Sequence, residues 1–212
     1  MADLNPKHID GRIDNVNEPT AKRLEQAGYT MTSTPPDYLY RRDEIVHLTG
    51  NRFRSQRAAT NQVACHQPTF RPFLPQDTNN CLALFDQWQR CPIAVPAEEI
   101  NVLMREDAHF AHVAAMRREN ELGLIGRVVE IAGVPLGYTF GLWLAPDQFC
   151  VLIEIADRSI RGLSAWLFRE FCREQQGAKW INAMDDSGLP CLAHAKALWH
   201  PVSLIPSYTV RA

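Results

Sequence analysis

The sequence predicts an α+β protein in which helices flank a mixed central sheet. The order of elements predicts this class, because residues 68–212 follow the order β-α-α-β-β-β-α-β-α-β. Turn residues support it, since three β-rich segments within residues 124–156 are separated by turns at 132–135 and 146–147. Three strands joined by tight turns are typical of an antiparallel meander.

The first forty residues predict a further strand, helix and strand. Residues 12–16 are extended, and Asn17 with Pro19 marks the start of a helix that Gly28 ends. Residues 29–40 are again extended. The other predicted elements are, in chain order, a helix at 43–48, a helix at 52–67, a strand at 69–74, a helix capped by Asp77, a long helix after Pro96, strands at 124–131, 136–144 and 149–156, a helix at 163–176, a strand at 180–182, a helix at 188–198 and a strand at 202–210.

Composition and charge exclude several classes of protein. Lys and Arg number 22 against 24 Asp and Glu, and a net charge of −2 argues against a globally basic nucleic-acid binder. The longest mainly apolar run, 131–146, is too short to span a membrane, and the N-terminus lacks the apolar core of a signal peptide. We therefore expect a cytoplasmic protein without stable membrane insertion. The six cysteines form no CxxC pair, so we expect reduced thiols and no metal site.

The element order of residues 68–212 matches the acyltransferase fold known as GNAT. In that fold the fourth strand and the helix after it form a site for the pyrophosphate of acyl-CoA. The physical reason is that a helix N-terminus after a glycine-containing turn offers unpaired N–H groups to an anion. The match implies acyl-CoA as a donor substrate and no tightly bound cofactor.

Three separated blocks sharpen this match. They are TGNRFRSQRAATNQ at 49–62, EIADRSIRGLSAWLFREF at 154–171 and WINAMDDSGLPCLAHAKALWHPV at 180–202. In this order they resemble the C-terminal domain of bacterial phosphatidylglycerol lysyltransferases and its soluble relatives, from about residue 12 onward. The lysyltransferases move an aminoacyl group from aminoacyl-tRNA to a lipid head group. The resemblance therefore implies aminoacyl-tRNA as the alternative donor.

The family consists of two GNAT-like halves in tandem, and this chain resembles the second half plus the tail of the first. We predict a partial N-terminal GNAT-like unit at 1–50, a linker helix at 51–67 and a complete GNAT-like domain at 68–212. Missing strands leave a sheet edge that tends to pair, so we expect a homodimer or packing of residues 12–40 onto the second sheet. A truncated gene would also explain the shortened chain.

Candidate catalytic residues lie at the end of the third meander strand. Glu154 and Asp157 are placed there, where a buried carboxylate serves as a base for an attacking amine. In the alternative interpretation Glu154 is a salt-bridged strand residue and Asp157 caps the following helix. Tyr208 on the last strand is a candidate general acid, as tyrosines near this strand are in many GNAT enzymes. Its alternative role is packing on the sheet.

The loop after this strand is the candidate phosphate cradle for the donor. Arg158, Arg161, Gly162 and Ser164 surround a predicted helix start, where an anion is favoured. Acyl-CoA-binding GNAT proteins usually have a tighter pattern, Arg-x-x-Gly-x-Gly or Ala. The alternative is an ordinary helix entry capped by Ser164.

The third block and the basic helix supply candidate substrate contacts. Asp185 and Asp186 are candidates for orienting an amino group, although Asp-Asp-Ser-Gly also suits a solvated turn. Lys196 is a candidate contact for a phosphate or a carboxylate. Arg54 and Arg57 share a helix face in a stretch without acidic residues, which would suit the acceptor end of a tRNA or remain a solvated face.

Two hypotheses follow from these residues. The leading one is an acyl- or aminoacyltransferase in which an amine or hydroxyl attacks a thioester or an aminoacyl ester. The alternative is a degenerate, non-catalytic module that binds a ligand or dimerises. The missing half favours this alternative, as do Ala183 and Met184, which stand where the family commonly has an Arg-Glu pair.

Overall fold

The computed structural model describes residues 11–90 and 98–211, and for residues 98–106 it describes the backbone alone. The strands are β1 (Arg12–Asn17), β2 (Thr30–Arg41), β3 (Thr69–Pro72), β4 (Ile125–Ile131), β5 (Val134–Ala145), β6 (Gln148–Ala156), β7 (Trp180–Asn182) and β8 (Ser203–Arg211). The helices are α1 (Glu18–Gln26), α2 (Arg42–His47), α3 (Arg54–Ala64), α4 (Thr78–Arg90), α5 (Glu98–Arg117), α6 (Leu163–Glu174) and α7 (Pro190–Ala197). The predicted α+β class is confirmed.

The described strands form one sheet in the order β1-β8-β2-β7-β6-β5-β4-β3. The neighbouring pairs are antiparallel apart from β6 and β7, which run parallel. The predicted meander is β4-β5-β6. Ala132 and Gly133 both have positive φ in its first turn, as a two-residue hairpin turn of type I′ requires.

Helices cover both faces of this sheet. Val128 and Val129 are neighbours on β4, and their buried side chains enter different cores because successive strand residues point to opposite faces. Val128 packs with Phe85 of α4 and Met116 of α5. Val129 packs with Leu167 of α6. The sheet is thus the middle layer between α4 and α5 on one face and α6 on the other.

A gap beside β6 positions the candidate site. β6 and β7 pair only from Gln148 to Cys150, opposite Trp180 to Asn182. β7 ends at Asn182, whereas β6 runs on to Ala156, so its second half has no described strand on that side. The second half of β6 therefore lacks a backbone hydrogen-bond ladder on that side. Its polar side chains can contact the segment that follows β7.

The N-terminal β1-α1-β2 unit packs onto this same sheet. β2 lies between β7 and β8 and pairs with both, and β1 pairs with β8. Of the two predicted arrangements for residues 12–40, the structure shows packing onto the sheet. The homodimer stays a prediction. Residues 1–10 of the predicted N-terminal unit lie outside the described residues.

Candidate functional site

Glu154 is the centre of the candidate site. Its Oε1 accepts a hydrogen bond of 2.7 Å from the Ser164 hydroxyl. Its Oε2 is buried and has no hydrogen-bond partner among the described residues. Burial raises the pKa of the Glu154 carboxyl to about 7, against the lowering effects of the Ser164 hydrogen bond and the positive charge of Lys196. A carboxyl with this pKa can both take and give a proton near neutral pH.

The fold brings Glu154 and Ser164 together across a short loop. Glu154 stands opposite Thr139 in the β5–β6 register, next to the open side of β6. Ser164 is the second residue of α6, so its hydroxyl lies in the first turn of that helix. Asp157, between them in sequence, accepts a hydrogen bond from the Ser159 N–H at 2.7 Å through Oδ1. Asp157 thus stabilises the loop, and the structure gives it no contact with Glu154.

The predicted phosphate cradle lies at the start of α6. Gly162 is the N-cap of this helix, with φ of +87°, and no side chain caps the first-turn N–H groups. Arg158 and Arg161 are exposed, and neither forms an ion pair with any described carboxylate. The Arg158 guanidinium lies 5.0 Å above the Trp88 ring. Two guanidinium groups without a described ion-pair partner, beside a helix N-terminus that no side chain caps, favour an anion at this point.

Gly162 also has a packing role. A Cβ at this position would lie 2.7 Å from the backbone oxygen of Ala59 in α3, closer than real Cβ atoms approach. α3 therefore covers one side of the first turn of α6, and a ligand must approach from another side.

Replacing Gly162 with Ala should destabilise the protein by about 3 kcal/mol, because it adds left-handed strain and a backbone clash. Thermal unfolding should show a fall in Tm of about 6–12 °C. Gly188→Ala is the matched control, since Gly188 has φ of +68° but no atom within 4 Å of the added Cβ. That control should cost only about 1 kcal/mol. Equal losses for the two variants would show that the α3 contact does not matter.

Lys196 of α7 interacts electrostatically with Glu154. Its Nζ donates hydrogen bonds to the backbone oxygens of Ala183 and Met184. Burial lowers the pKa of Lys196, while Asp185, Asp37, Glu154 and Asp186 oppose that shift through their charges. Lys196 therefore holds the contorted segment after β7, where Met184 has φ of +58°. This backbone role differs from the predicted contact with a phosphate or a carboxylate, which stays a prediction.

The two aspartates of the third block have different partners. Asp186 accepts hydrogen bonds from the Tyr38 hydroxyl at 2.7 Å and from the Gly188 N–H at 2.9 Å. Asp185 accepts a hydrogen bond of 2.6 Å from the Ser187 N–H. Both carboxylates thus stabilise a turn, as the alternative interpretation of this sequence expected. Their negative charges also raise the pKa of Lys196.

Sequence reasoning missed three residues of this region, Asp37, Tyr38 and Asn182. Asn182 Nδ2 donates to Asp37 Oδ2 at 2.8 Å, and its Oδ1 accepts from the Met184 N–H at 2.7 Å. Asp37 Oδ1 is buried without a described partner. Burial, together with the charge of Asp185, raises the pKa of Asp37. The N-terminal unit therefore contributes directly to the site through β2.

Comparisons with known proteins identify the family. The model of the family described as "Phosphatidylglycerol lysyltransferase, C-terminal" matches residues 14–211. The chain belongs to this family. Membership indicates an acyl- or aminoacyltransferase-like protein. No curated protein matches the sequence.

Solved structures share the fold of this family member. A conserved protein of unknown function from Bacteroides thetaiotaomicron VPI-5482 superimposes with a TM-score of 0.73 and 24% identity, covering 99% of this chain and 72% of that chain. L-PGS from Bacillus licheniformis gives 0.65 and 13%, covering 99% and 69%. FemX gives 0.59 and 9%, covering 94% and 71%. At these identities the comparison establishes a common GNAT-like architecture.

Tyr208, which the family resemblance suggested as a general acid, lies apart from Glu154. Tyr208 on β8 packs against the small core of Val16, Ala21 and Val210. Three strand spacings separate β8 from β6, about 14 Å. Tyr208 therefore packs on the sheet, as the alternative interpretation expected. The structure does not bring it close to Glu154.

Two arginines in and just before the basic helix are already bound by neighbouring groups. Arg57 donates to the backbone oxygens of Leu48 and Gly50, just after α2. Arg52 pairs with Glu44 at 2.8 Å. Arg54 is exposed and has no ion pair with a described residue. The predicted pair of Arg54 and Arg57 thus offers one guanidinium to a ligand.

Two features that the described residues lack bear on the class of site. None of their helices combines the length and the apolar character that a membrane span requires. Their His, Cys, Asp and Glu side chains form no group of three or more that could hold a metal ion.

Proposed function

We propose that this chain transfers an acyl or aminoacyl group to an amine or hydroxyl acceptor, with Glu154 as the general base. One observation carries the proposal. A buried carboxyl with a pKa of about 7 stands beside the start of α6, with one oxygen oriented by Ser164 and the other without a described partner. Perturbed acids of this kind concentrate at functional sites.

The chemistry needs little beyond positioning and proton transfer. The acceptor nitrogen or oxygen attacks the carbonyl carbon of the thioester or ester and passes its proton to Glu154 Oε2. The tetrahedral intermediate then collapses, and the carbon–sulfur or carbon–oxygen bond to the donor breaks. The leaving thiolate or alkoxide takes a proton from solvent or from Glu154. Ser164 keeps the carboxyl in one orientation during both steps.

The start of α6 supports a phosphate-bearing donor. Acyl-CoA and aminoacyl-tRNA both carry phosphates, acyl-CoA at the far end of the pantetheine arm from its thioester and aminoacyl-tRNA one ribose away from its ester. Arg158, Arg161 and the first-turn N–H groups would hold such a phosphate on the side of the turn that α3 leaves open. Acyl-CoA and aminoacyl-tRNA are the two candidate donors, and an assay with each of them separates the two.

One observation favours the non-catalytic alternative. The family resemblance implies an Arg-Glu pair where this chain has Ala183 and Met184, and the backbone oxygens of these two residues are occupied by Lys196. A chain that has lost this pair would bind a donor without turning it over.

A donor assay tests the proposal. Purified protein is mixed with radiolabelled acetyl-CoA or aminoacyl-tRNA and with amine and glycerol acceptors, and the labelled product is quantified against a Glu154→Gln control. We expect transfer from one donor and thermal stabilisation by that donor alone. Stabilisation without transfer from either donor would support the binding module instead.

A further inference from the structure

We propose that Asp37 binds the positively charged amino group of a substrate and so determines which substrates the site accepts. The proposal rests on the transferase function above. The group that enters the gap beside β6 would be this amino group. Asp37 comes from β2 and reaches the segment that follows β7 through its bond to Asn182. The N-terminal unit would thus supply substrate specificity to the rest of the site.

Unpaired buried oxygens point to a missing hydrogen-bond donor. Among the described residues, three buried side-chain polar atoms have no partner, namely Thr34 Oγ1, Asp37 Oδ1 and Glu154 Oε2. Two of the three are carboxylate oxygens, and the charges of both carboxylates raise the pKa of Lys196. Folded proteins pair almost all such atoms, so exceptions need an explanation. A bound group that carries N–H donors would supply the partner.

The surrounding side chains do not supply it. Asp37 Oδ2 is occupied by Asn182, and Lys196 donates to the backbone oxygens of Ala183 and Met184. The Lys196 Nζ also lies 5.6 Å above the Tyr38 ring, which favours a cation there. Asp37 Oδ1 thus retains its full capacity to accept a hydrogen bond.

The charge balance selects a cation as the ligand. Among the described groups, Lys196 is the one cation whose charge lowers the pKa of both Asp37 and Glu154. It interacts with four carboxylates, those of Asp37, Glu154, Asp185 and Asp186. Because the described acids form no set that could hold a metal ion, an organic cation fits better. A primary ammonium brings both the charge and the N–H donors, whereas an acetyl group brings neither.

Two substrates could carry that ammonium. One is the α-amino group of an aminoacyl donor, and the other is an acceptor amine before Glu154 removes its proton. Both present the same chemistry to Asp37, so the test uses one pair of probes for each source.

Isothermal titration calorimetry at pH 7.5 makes the comparison without any turnover. The donor pair is 3′-(L-alanylamino)-3′-deoxyadenosine and its N-acetyl derivative, and the acceptor pair is ethanolamine and N-acetylethanolamine. We expect the wild type to prefer the ammonium member of one pair by about tenfold to a hundredfold, the range of a hydrogen bond between charged groups. Asp37→Asn should reduce that preference to within about twofold while keeping an oxygen for Asn182. Asp147→Asn, the same change in an exposed turn, should leave it unaltered.

The outcomes separate this proposal from the transferase proposal. A wild type that binds both members of each pair equally, or binds none of them, would overturn the role of Asp37, even if the Asp37→Asn variant did not fold. A folded Asp37→Asn variant that keeps the preference would also overturn it. A protein that discriminates through Asp37 but transfers nothing would refute the transferase function alone.

Discussion

At pH 8 the Glu154→Gln variant should be more stable than the wild type by about 3 kcal/mol. Burial raises the pKa of Glu154 from its ordinary value of 4.5 to about 7. The folded protein therefore binds a proton more tightly than the unfolded chain, and ionising Glu154 in the folded state costs stability. Glutamine carries no charge to bury, and its oxygen still accepts the Ser164 hydrogen bond.

The sign of the pH dependence follows from the same shift. Below pH 4.5 Glu154 is protonated in both states, so the variant and the wild type should have similar free energies of unfolding. Between pH 4.5 and 7 the unfolded chain ionises first and the wild type loses stability, and above about pH 7 the difference is constant.

Urea unfolding from pH 4 to 8.5 measures this difference directly. The gain at pH 8 corresponds to a rise in Tm of about 6–12 °C for a chain of this size. Glu25→Gln on the exposed face of α1 is the matched control and should change stability by only a few tenths of a kcal/mol. A Glu154→Gln variant less stable than the wild type at pH 8 would mean that Glu154 makes a stabilising ion pair instead.

The same substitution should nearly abolish transfer. Glutamine preserves the shape of Glu154 and its contact with Ser164, but it cannot accept a proton from the acceptor. Removing a positioned base of this kind lowers rates by about 10²- to 10⁴-fold. Single-turnover transfer at pH 8 with saturating donor isolates the chemical step, and donor affinity from a separate titration should be unchanged.

A gain in stability together with a loss of rate is the pattern expected of a residue kept for function. A variant that transfers within about threefold of the wild type would assign the proton transfer to another group. A loss of rate with a parallel loss of donor affinity would indicate a binding role for Glu154.

The order of elements was predictable because it depends on local chemistry. Asn17 was predicted to cap the first helix, and its Oδ1 accepts the Thr20 N–H at 3.0 Å. The positive φ values of Ala132 and Gly133 close the predicted hairpin. Asp77 was predicted to cap α4, but it lies in the short 3-10 helix Pro75–Asp77, where its carboxylate accepts the Leu74 N–H and pairs with Arg71 at 2.7 Å.

The site was predictable only in part, because its contacts depend on strand register. Glu154 was found from its place at a strand end. Ser164 was predicted to contact a phosphate, yet its hydroxyl donates to Glu154. This contact depends on how α6 packs over β6, which the sequence does not show. Asp37 gave no signal, since its hydrogen bond to Asn182 depends on the pairing of Leu39 with Asn182. Arg57 lay on the predicted helix, but its bonds to the backbone oxygens of Leu48 and Gly50 depend on the path of the chain between α2 and α3, for which the sequence has no local signal.

The pH dependence of transfer by the wild type tests the central role of Glu154 most directly. The value of kcat/KM for the donor that supports transfer should be measured from pH 5.5 to 8.5 with a fixed acceptor whose own ionisation is known. It should rise tenfold per pH unit at low pH and level off above an apparent pKa near 7, where Glu154 is ionised. A profile without an inflection between pH 6 and 8, after correction for the acceptor, would contradict the assignment of Glu154 as the base.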